Sequence, residues 1–392
     1  MAQRSGPLAD LKVIDLATVF AGPGAARYLG DFGADVIKVE RPGTGDTSRA
    51  IGWRHPDDGE TLWWKLVGRN KRNIVLDLKE AEDLSVLRRL CAEADVLVEN
   101  FRPGVLERLG LDPEDLWQDN PTLVVTRVTG FGQDGPYSHK PGFASQAEAL
   151  SGYAAISGEP DGRPLLPPIA LTDEVAALAA AFATMVAVHS GEGQVVDVSL
   201  IESMLQIMGP LVALHGLTGE VQPRLGAGIP YTVPRNTYQS ADGRWIAISS
   251  SAASVAKRVI ELIGLGGDPE LDTFEGRAAR RDDIDGAFAE WMGERTADQA
   301  LSELDQAEAA AAIVYDMADI ATDEHFAARE AIAEVDGVPM QNLIARLSAT
   351  PGTLRWAGRP LDADGSDIRA HGFGHPADAA PSNSEPGDRE SG

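Results

Sequence analysis

In the N-terminal third of the chain, short apolar runs alternate with longer segments in which apolar residues recur at helical spacing. Short apolar runs are typical of buried strands, and a repeat of about 3.6 residues is typical of amphipathic helices. The pattern predicts strands at 12–17, 35–40, 73–78, 95–99 and 123–128, with helices at 25–32 and 84–94. Strands and helices in this order form βαβ units, so the predicted fold class is α/β with a parallel sheet.

The longest apolar stretch, VAALAAAFATMVAV at 175–188, is rich in strong helix formers. It predicts a helix that is buried on most sides and is too short to span a bilayer. Asp173 comes just before this stretch. Its carboxylate is therefore expected at or beside the helix N-terminus, where the helix dipole and free N–H groups favour the ionised form. A turn at 189–193 and a strand at 194–200 follow.

Beyond residue 205 the pattern changes to that of a second, smaller α+β region. An apolar helix at 206–217 and a Gly- and Pro-rich connector at 218–234 come first. A hairpin at 235–250, turned at Ala241-Asp242-Gly243, precedes amphipathic helices near 253–264, 282–293 and 296–306. Phe288, Trp291 and Met292 lie on the apolar side of this pattern, so we expect them in the core.

These shifts in pattern predict five regions. They are a large domain over 8–205, a linker over 206–234, a small domain over 235–318, a return to the large domain over 319–374 and a tail over 375–392. The tail is rich in Pro, Ser, Asp and Glu, a composition typical of disorder.

Composition limits the classes of partner. The 392 residues are 43% hydrophobic and 24% charged, enough for a large core and more than one domain. The net charge of -26 argues against nucleic acid or an anionic membrane as partner. Cys91 is the single cysteine and residues 1–13 lack the apolar core of a signal peptide, so we expect a reducing, cytoplasmic location. The seven histidines are dispersed, without the spacing of a metal site.

Basic residues cluster around the strand at 73–78, in a chain that is otherwise acidic. An anionic ligand such as a phosphate needs Arg or Lys, so the cluster is a candidate binding region. Any one of these side chains could equally be solvated surface. The set comprises Arg41, Arg49, Arg54, Lys65, Arg69, Lys71, Arg72 and Lys79.

Two local motifs have structural or competing interpretations. Thr172-Asp173 offers two preferred helix caps, so Asp173 could be an N-cap without chemistry. The turn Gly22-Pro23-Gly24 before a helix suggests a dinucleotide site with Glu40 as the ribose acid. Against this, Arg27 stands where the third Gly of the fingerprint belongs and Pro23 occupies the gap.

Segments along most of the chain match one family in the same order. They are LKVIDLATVFAGPGAARYLGDFGADVIKVERPGTGD, NKRNIVLDLK, VLVENFRPGVLERLG, ALTDEVAAL with HSGEGQVVDVSLIESM, and PRNTYQSADGRWIAIS. Together they resemble the class III CoA-transferases, the family of formyl-CoA transferase and the CaiB/BaiF proteins. The resemblance implies a Rossmann-like large domain with a parallel sheet built from both chain ends, a smaller α+β domain and an interlocked homodimer. LSATPGTLRWAGRPLDADGSD, at 347–367, resembles the family's C-terminal strand and turn.

The resemblance also implies the site. Asp173 would be the nucleophile that moves CoA from an acyl-CoA to a carboxylic acid, with no metal and no tightly bound cofactor. The residues that would contact CoA are Ala21, Arg41, Leu76, Asp77, Leu78, Lys79, Asn100, Phe101, Arg102, Arg108 and Lys140. The Gly-rich stretch GFGQDGPYSHKPGF, at 130–143, is long and polar enough to form a wall of the site.

Three positions depart from relatives. Thr18 and Phe20 replace the His and Gln of formyl-CoA transferase, and Phe143 replaces a Tyr. The α-methylacyl-CoA racemases have a catalytic His at this last position, and Phe143 has no group that could act as a base. A racemase of the same fold and a non-catalytic acyl-CoA-binding protein are the alternatives. Phe20 and Phe143 suggest an acid less polar than formate or oxalate.

Overall fold

A six-stranded parallel sheet organises the N-terminal half of the protein in the computed structural model, which describes residues 6–373. Its strands run in the order β3-β2-β1-β4-β5-β6. The bounds are β1 Lys12–Asp15, β2 Asp35–Glu40, β3 Lys71–Val75, β4 Val96–Glu99, β5 Val124–Thr129 and β6 Val195–Ser199. The predicted α/β class and parallel sheet are therefore confirmed. The tail predicted at 375–392 lies outside the described residues.

Helices cover the sheet and form much of the rest of the chain. In the first half they are α1 Ala21–Asp31, α2 Leu62–Val67, α3 Ala81–Glu93, α4 Val105–Arg108, α5 Pro113–Asp119, α6 Ala144–Leu150, α7 Tyr153–Ile156 and α8 Leu171–Ser190. In the second half they are α9 Leu200–Gln206, α10 Leu211–Thr218, α11 Ala253–Leu262, α12 Phe274–Ala279, α13 Arg281–Gly293, α14 Ala297–Gln306, α15 Met317–Thr322, α16 Glu324–Ala328 and α17 Gly365–His371. Short 3₁₀ turns occupy Thr47–Ala50 and Pro269–Asp272.

Contacts divide the chain into two compact units. The first contains residues up to Ala147, Pro168–Gln206 and the chain from Glu330 onward, and the second contains Glu148–Pro167 and Ile207–Arg329. The first unit thus draws on both ends of the chain. In this division residues 148–167 belong to the second unit, whereas the sequence analysis placed them in the large domain. The second unit runs to Arg329, whereas the small domain was predicted to end at residue 318.

The expectation that both chain ends supply strands to the large sheet is wrong. All six of its strands come from residues 12–199. The C-terminal segment instead covers the edge strand β3 with side chains, because Asp364 accepts from the Asn73 N–H at 3.0 Å and Asp362 accepts from the Val75 N–H at 2.8 Å. An uncovered sheet edge would leave such N–H groups unpaired.

The strand expected within 347–367 is also absent. Residues 351–360 form no regular element, and some of their N–H groups bond to helices of the first unit, as from Thr353 to the Asp31 carbonyl at the end of α1 at 3.0 Å. Pro351 and Pro360 lack the N–H that a central strand needs. The strands near this end are β10 Ile332–Val335 and β11 Val338–Gln341, an antiparallel pair.

The second unit confirms the predicted hairpin and helices. β7 Arg235–Gln239 and β8 Trp245–Ser249 pair antiparallel across a turn in which Gly243 has a φ of +84°, and β9 Ala310–Ile313 joins β8. Such a φ favours glycine. Phe288, Trp291 and Met292 are in the core, and the ring of Tyr238 stacks on Phe288 at 4.4 Å.

The single helix predicted at 206–217 is wrong. The chain breaks between α9 and α10, where Gly209 has a φ of +60° and Pro210 is the N-cap of α10. A proline restricts the residue before it to non-helical conformations, so the apolar pattern alone does not carry the helix through this point.

Helix α8 is longer and less buried than its sequence predicts. It has 20 residues, so by length and composition alone it could cross a bilayer, and the argument that it is too short is wrong. One face packs inward, where Thr184 bonds to Thr126 of β5 at 2.6 Å. On the opposite face Leu178, Phe182 and Val186 are 40%, 73% and 56% exposed. These three residues, one turn apart, form the apolar stripe of α8.

Candidate active site at the carboxyl edge of the parallel sheet

The topology gathers the predicted CoA-binding residues along one edge of the sheet. In a parallel sheet the loops after the strands lie at the same edge, and ligands bind where the strand order reverses. Here the order reverses between β1 and β4. The positions concerned are Ala21 after β1, Arg41 after β2, Leu76–Lys79 after β3, Asn100, Phe101, Arg102 and Arg108 after β4, and Lys140 after β5.

Asn100 joins the two loops at this reversal point. The Thr18 N–H donates to its Oδ1 at 2.8 Å, and its Nδ2 donates to the Thr18 carbonyl at 2.7 Å. The side-chain amide therefore ties the end of β4 to the loop between β1 and α1. These two bonds use one N–H and one lone pair of the amide.

The loop between β1 and α1 contains a strained residue. Val19 has a φ of +71°, which is unfavourable for a β-branched side chain and costs on the order of 1–3 kcal/mol. Its N–H donates to Asp46 Oδ1 at 3.1 Å, and the same carboxylate oxygen accepts from Ser48 N–H and Oγ at 2.8 Å. Asp46 thus holds the loop in a conformation that Val19 would not adopt by itself.

Two buried lysines support this loop from inside the sheet. Lys38 Nζ lies 2.9 Å from Asp46 Oδ2 and donates to the Ala17 carbonyl, and Lys71 Nζ donates to Asp15 Oδ2 at 2.8 Å. Burial alone would lower the pKa of Lys38, but Asp15 and Asp46 outweigh it and raise that pKa. Burial lowers the pKa of Lys71 to about 8 despite Asp15. These four side chains form the lysine–aspartate network.

Other basic residues around β3 are also neutralised internally. Arg49 donates to both oxygens of Glu40 at 2.7 and 2.8 Å, Arg69 to Asp31 at 3.0 Å, and Arg72 to Asp35 at 2.9 Å. Of the basic set around β3, five side chains thus pair with a carboxylate: Arg49, Lys65, Arg69, Lys71 and Arg72, with Lys65 paired to Asp58. Arg54 is exposed and donates to the Gly59 carbonyl at 2.7 Å.

The same contacts weaken the dinucleotide alternative. Glu40, the expected ribose acid, is occupied by Arg49 and also accepts from the Asp46 N–H at 2.8 Å. The Gly22-Pro23-Gly24 sequence is the first turn of α1 rather than a separate turn before it.

Five basic side chains at the sheet edge have no such partner. Each is exposed, and within residues 6–373 none lies within ion-pair distance of a carboxylate. Arg41 donates to Thr44 Oγ1 at 2.8 Å and to the Gly45 carbonyl at 3.0 Å, and Lys140 lies over the Tyr137 ring at 3.6 Å. These five, the edge cations, are Arg41, Lys79, Arg102, Arg108 and Lys140.

The remaining predicted CoA contacts are mostly apolar and partly hidden. Ala21 and Leu76 are buried, and Leu78 and Phe101 pack against the core of the sheet. Asp77 organises the turn after β3, since its Oδ1 accepts from the Lys79 N–H at 3.1 Å.

A partly buried triad, which sequence reasoning missed, fixes the segment after β4. Arg127 in β5 donates to Glu99 Oε1 at 2.7 Å and to Glu107 Oε1 at 2.8 Å, and Glu99 Oε2 accepts from the Phe101 N–H at 2.6 Å. Burial raises the pKa of Glu99, although Arg127 opposes the shift. The triad holds in place the turn and helix that carry Asn100, Phe101, Arg102 and Arg108.

The two ends of the Gly-rich loop after β5 lie close together, and the loop is hydrogen-bonded to β6. A Cβ on Gly130 would lie 2.6 Å from the Gly142 Cα, so a side chain at this position would force the base apart. The Gln133 N–H donates to Asp197 Oδ2 at 2.8 Å. Further along the loop Phe143 is 66% exposed.

Asp173 is the third residue of α8. The N-cap of α8 is Ala170, so the interpretation of Thr172 or Asp173 as the N-cap is wrong. Asp173 is partly buried, and it lies one and two turns before the buried residues Ala177 and Ala180. Side chains with this spacing share a helix face, so Asp173 lies on the inward face of α8 at its positive end. Within residues 6–373 no three His, Cys, Asp or Glu side chains are grouped as around a metal ion.

Comparison with known proteins agrees with this architecture. The family model described as CoA-transferase family III matches residues 8–364. The chain belongs to CoA-transferase family III. A succinyl-CoA–D-citramalate CoA-transferase of Chloroflexus aurantiacus is 40% identical over 92% of this chain and 93% of that protein. The alpha subunit of a succinyl-CoA–L-malate CoA-transferase of Chloroflexus aurantiacus is 36% identical over 92% and 87%.

A solved structure also matches. The crystal structure of a CaiB/BaiF family protein from Brucella suis has a TM-score of 0.83 and 31% identity, and covers 93% of this chain and 99% of its own. The resemblance identified from the sequence motifs is thereby confirmed, and the protein is a CoA-transferase acting on CoA thioesters.

Proposed function

We propose that this CoA-transferase works through a covalent intermediate on Asp173. An oxygen of the carboxylate attacks the carbonyl carbon of the donor acyl-CoA, the carbon–sulfur bond breaks, and its electron pair leaves with the CoA thiolate. The product is a mixed anhydride between the acyl group and Asp173. Because the anhydride keeps the activation of the thioester, the exchange stays reversible.

Two routes lead from the anhydride to product. The thiolate can attack the aspartyl carbonyl, which releases the donor acid and gives an aspartyl-CoA thioester that the acceptor carboxylate then attacks. Alternatively, the thiolate waits while the acceptor attacks the aspartyl carbonyl directly. Both give an acceptor–aspartyl anhydride, and attack of the thiolate on its acceptor carbonyl yields the new acyl-CoA and free Asp173.

The observation that carries this proposal is the unpaired positive charge at the sheet edge. CoA has a 3′-phosphate and a pyrophosphate, and charge-assisted hydrogen bonds from Arg and Lys suit both. The edge cations Arg41, Lys79 and Arg108 are exposed in segments that follow three different strands. These cations differ from the buried ones of the unit, such as Arg69 and Arg72, each of which pairs with a carboxylate.

We propose dicarboxylic acids as the substrates. The two relatives from Chloroflexus aurantiacus are named for succinyl-CoA together with D-citramalate or L-malate, all derived from four- or five-carbon dicarboxylic acids. Their names favour such acids over the less polar acid that Phe20 and Phe143 suggest. Succinyl-CoA is our proposed donor, and a 2-hydroxydicarboxylate is our proposed acceptor.

Isotope exchange tests the mechanism and the substrate class together. Labelled succinate should enter succinyl-CoA without any other acid present, and Asp173→Asn should abolish the exchange. D-citramalate and L-malate should be better acceptors than butyrate or benzoate. Exchange that persists in Asp173→Asn would refute the aspartyl intermediate, and a preference for butyrate or benzoate would refute the substrate class. Loss of an α-proton to heavy water without acid exchange would instead support the racemase alternative.

We also propose that the functional form is a homodimer, interlocked as the family resemblance implies. The apolar stripe of α8, formed by Leu178, Phe182 and Val186, supports it, because contiguous exposed apolar surface marks protein contacts. Phe182→Glu should convert the dimer to a monomer in sedimentation velocity, while Glu192→Lys, an exposed change just beyond α8, should not. A wild-type monomer at working concentration would refute the proposal.

A further inference from the structure

Glu174, the residue after Asp173, is held by two side chains of α1. Arg27 Nη2 donates to Glu174 Oε2 at 2.9 Å, and the Tyr28 hydroxyl donates to the same oxygen at 2.8 Å. The guanidinium of Arg27 also lies over the Tyr28 ring, 4.4 Å from its centre. We call these three residues the α1–α8 clamp.

The clamp is largely withdrawn from solvent on the α1 side. The Arg27 side chain is 2% exposed and that of Glu174 is 34% exposed. Burial raises the pKa of Tyr28 to about 12, and Glu174 adds to the shift, so the hydroxyl keeps its proton and remains a donor. A buried guanidinium needs a compensating charge, and within residues 6–373 Glu174 supplies its ion pair.

Contacts beyond the clamp also hold α8 in place as far as its middle. A Cβ on Gly24 would lie 2.9 Å from the Ala177 Cβ, so α1 and α8 approach more closely than a side chain at Gly24 would permit. Thr184 is bonded to Thr126 farther along. Glu174, Ala177 and Thr184 lie at helical spacing, so α8 is held from its first turn to its middle.

The first turn of α8 needs such an anchor. The N-cap Ala170 has no side chain that can accept a hydrogen bond, and helices without a capping side chain fray at this end. Asp173 is in this turn, and an attacking carboxylate must meet the thioester carbonyl in a narrow range of distance and angle. Fraying here would therefore act directly on the nucleophile.

We infer that Arg27 and Tyr28 are positioning residues for Asp173, acting through Glu174 on the first turn of α8. None of the three needs to touch the substrate for this role. The inference rests on the proposed function, in which Asp173 is the nucleophile. This positioning role also explains why residue 27 is an arginine, where a dinucleotide-binding fingerprint would have a glycine.

The test is the single-turnover rate of covalent adduct formation with succinyl-CoA, measured by rapid quench and intact-protein mass spectrometry. Arg27→Met and Glu174→Ala should each slow adduct formation by about 10- to 100-fold, as expected for a misplaced nucleophile. The Kd for CoA should stay within about twofold, because the edge cations are unchanged. The double variant should be no slower than the worse single one, because both changes break the same contact.

Milder variants separate positioning from folding. Glu174→Gln keeps an acceptor oxygen and should recover most of the rate lost in Glu174→Ala, and Tyr28→Phe should cause a smaller loss. Glu192→Ala, an exposed glutamate after α8, is the control and should match wild type.

The outcomes are distinct. Wild-type rates in Arg27→Met and Glu174→Ala would overturn the clamp, and so would a parallel loss of adduct rate, CoA affinity and thermal midpoint, which indicates a general structural role. An adduct that persists in Asp173→Asn would instead refute the proposed function on which the clamp rests.

Discussion

Two groups of basic side chains in the first unit differ in place and in partners. Lys71 is the first residue of β3, is buried and bonds to Asp15 at 2.8 Å. Lys79 lies four residues beyond the end of the same strand, is exposed and has no carboxylate at ion-pair distance within residues 6–373. The other internal cations resemble Lys71, and the other edge cations resemble Lys79.

The two groups differ in burial and in whether a carboxylate lies beside them, and we propose that the exposed group at the sheet edge binds the ligand. A charge inside the sheet loses its hydration and must have a fixed counter-ion. A charge in a loop after a parallel strand stays hydrated and lies where ligands of such sheets bind. The net charge of the chain says nothing about either group.

The largest expected effect is on stability, from the internal group. Asp15→Ala removes a carboxylate that both Lys38 and Lys71 face, and leaves two buried ammonium groups with one carboxylate between them. Breaking a buried ion pair costs about 3–5 kcal/mol, so the urea midpoint should fall sharply. Asp10→Ala, at an exposed aspartate before β1, should leave it within error. Equal midpoints in the two variants would contradict the role of the network.

The next effect is on affinity, from the edge group. Lys79→Gln and Arg41→Gln should keep the wild-type urea midpoint and raise the Kd for CoA by about 10-fold each, since a hydrogen bond to a charged group contributes about 1.5–3 kcal/mol. Calorimetric titration with CoA and with dephospho-CoA measures this. Lys257→Gln, an exposed lysine of the second unit, is the control. Unchanged affinity in both edge variants would show that CoA binds elsewhere.

A smaller effect is a pH dependence of stability from Lys71. Burial lowers its pKa to about 8, whereas its ordinary value is 10.5. Between these values the unfolded state binds more protons, so the free energy of unfolding gains a contribution that rises with pH. The urea midpoint of wild type should therefore rise more, or fall less, from about pH 7.5 to pH 9.5 than that of Lys71→Met. A steeper upward slope in Lys71→Met would contradict the assignment.

The smallest effect is expected from an exposed ion pair of the second unit. Arg244 lies 3.2 Å from Asp319, with side chains 43% and 31% exposed. Exposed pairs of this kind contribute roughly 0–1 kcal/mol, so Arg244→Ala should shift the urea midpoint only slightly. A loss as large as that in Asp15→Ala would show that burial does not distinguish the two kinds of pair.

Local pattern predicted the elements well wherever apolar spacing decides them. β2 has the predicted bounds, and the hairpin of the second unit turns at Gly243 as predicted. β3 begins two residues earlier than predicted, because Lys71 and Arg72 are polar in sequence yet buried by ion pairs. α1 begins four residues earlier, because Pro23 is tolerated in a first helical turn.

What the sequence could not predict depends on contacts between distant segments. The clamp joins Arg27 and Glu174, which are 147 positions apart, and no local periodicity relates them. The same holds for the C-terminal side chains that cover β3. The signals that could have pointed to them are charged residues on otherwise apolar elements, as Arg27 is on α1 and Lys38 on β2.

Mass spectrometry of the intact protein can show whether Asp173 carries the acyl group, as we propose. The protein is incubated with succinyl-CoA, treated with hydroxylamine, and mapped by peptide. We expect a hydroxylamine-dependent modification on Asp173 that Asp173→Ala lacks. A modification at another residue, or none while labelled succinate still exchanges into succinyl-CoA, would contradict it.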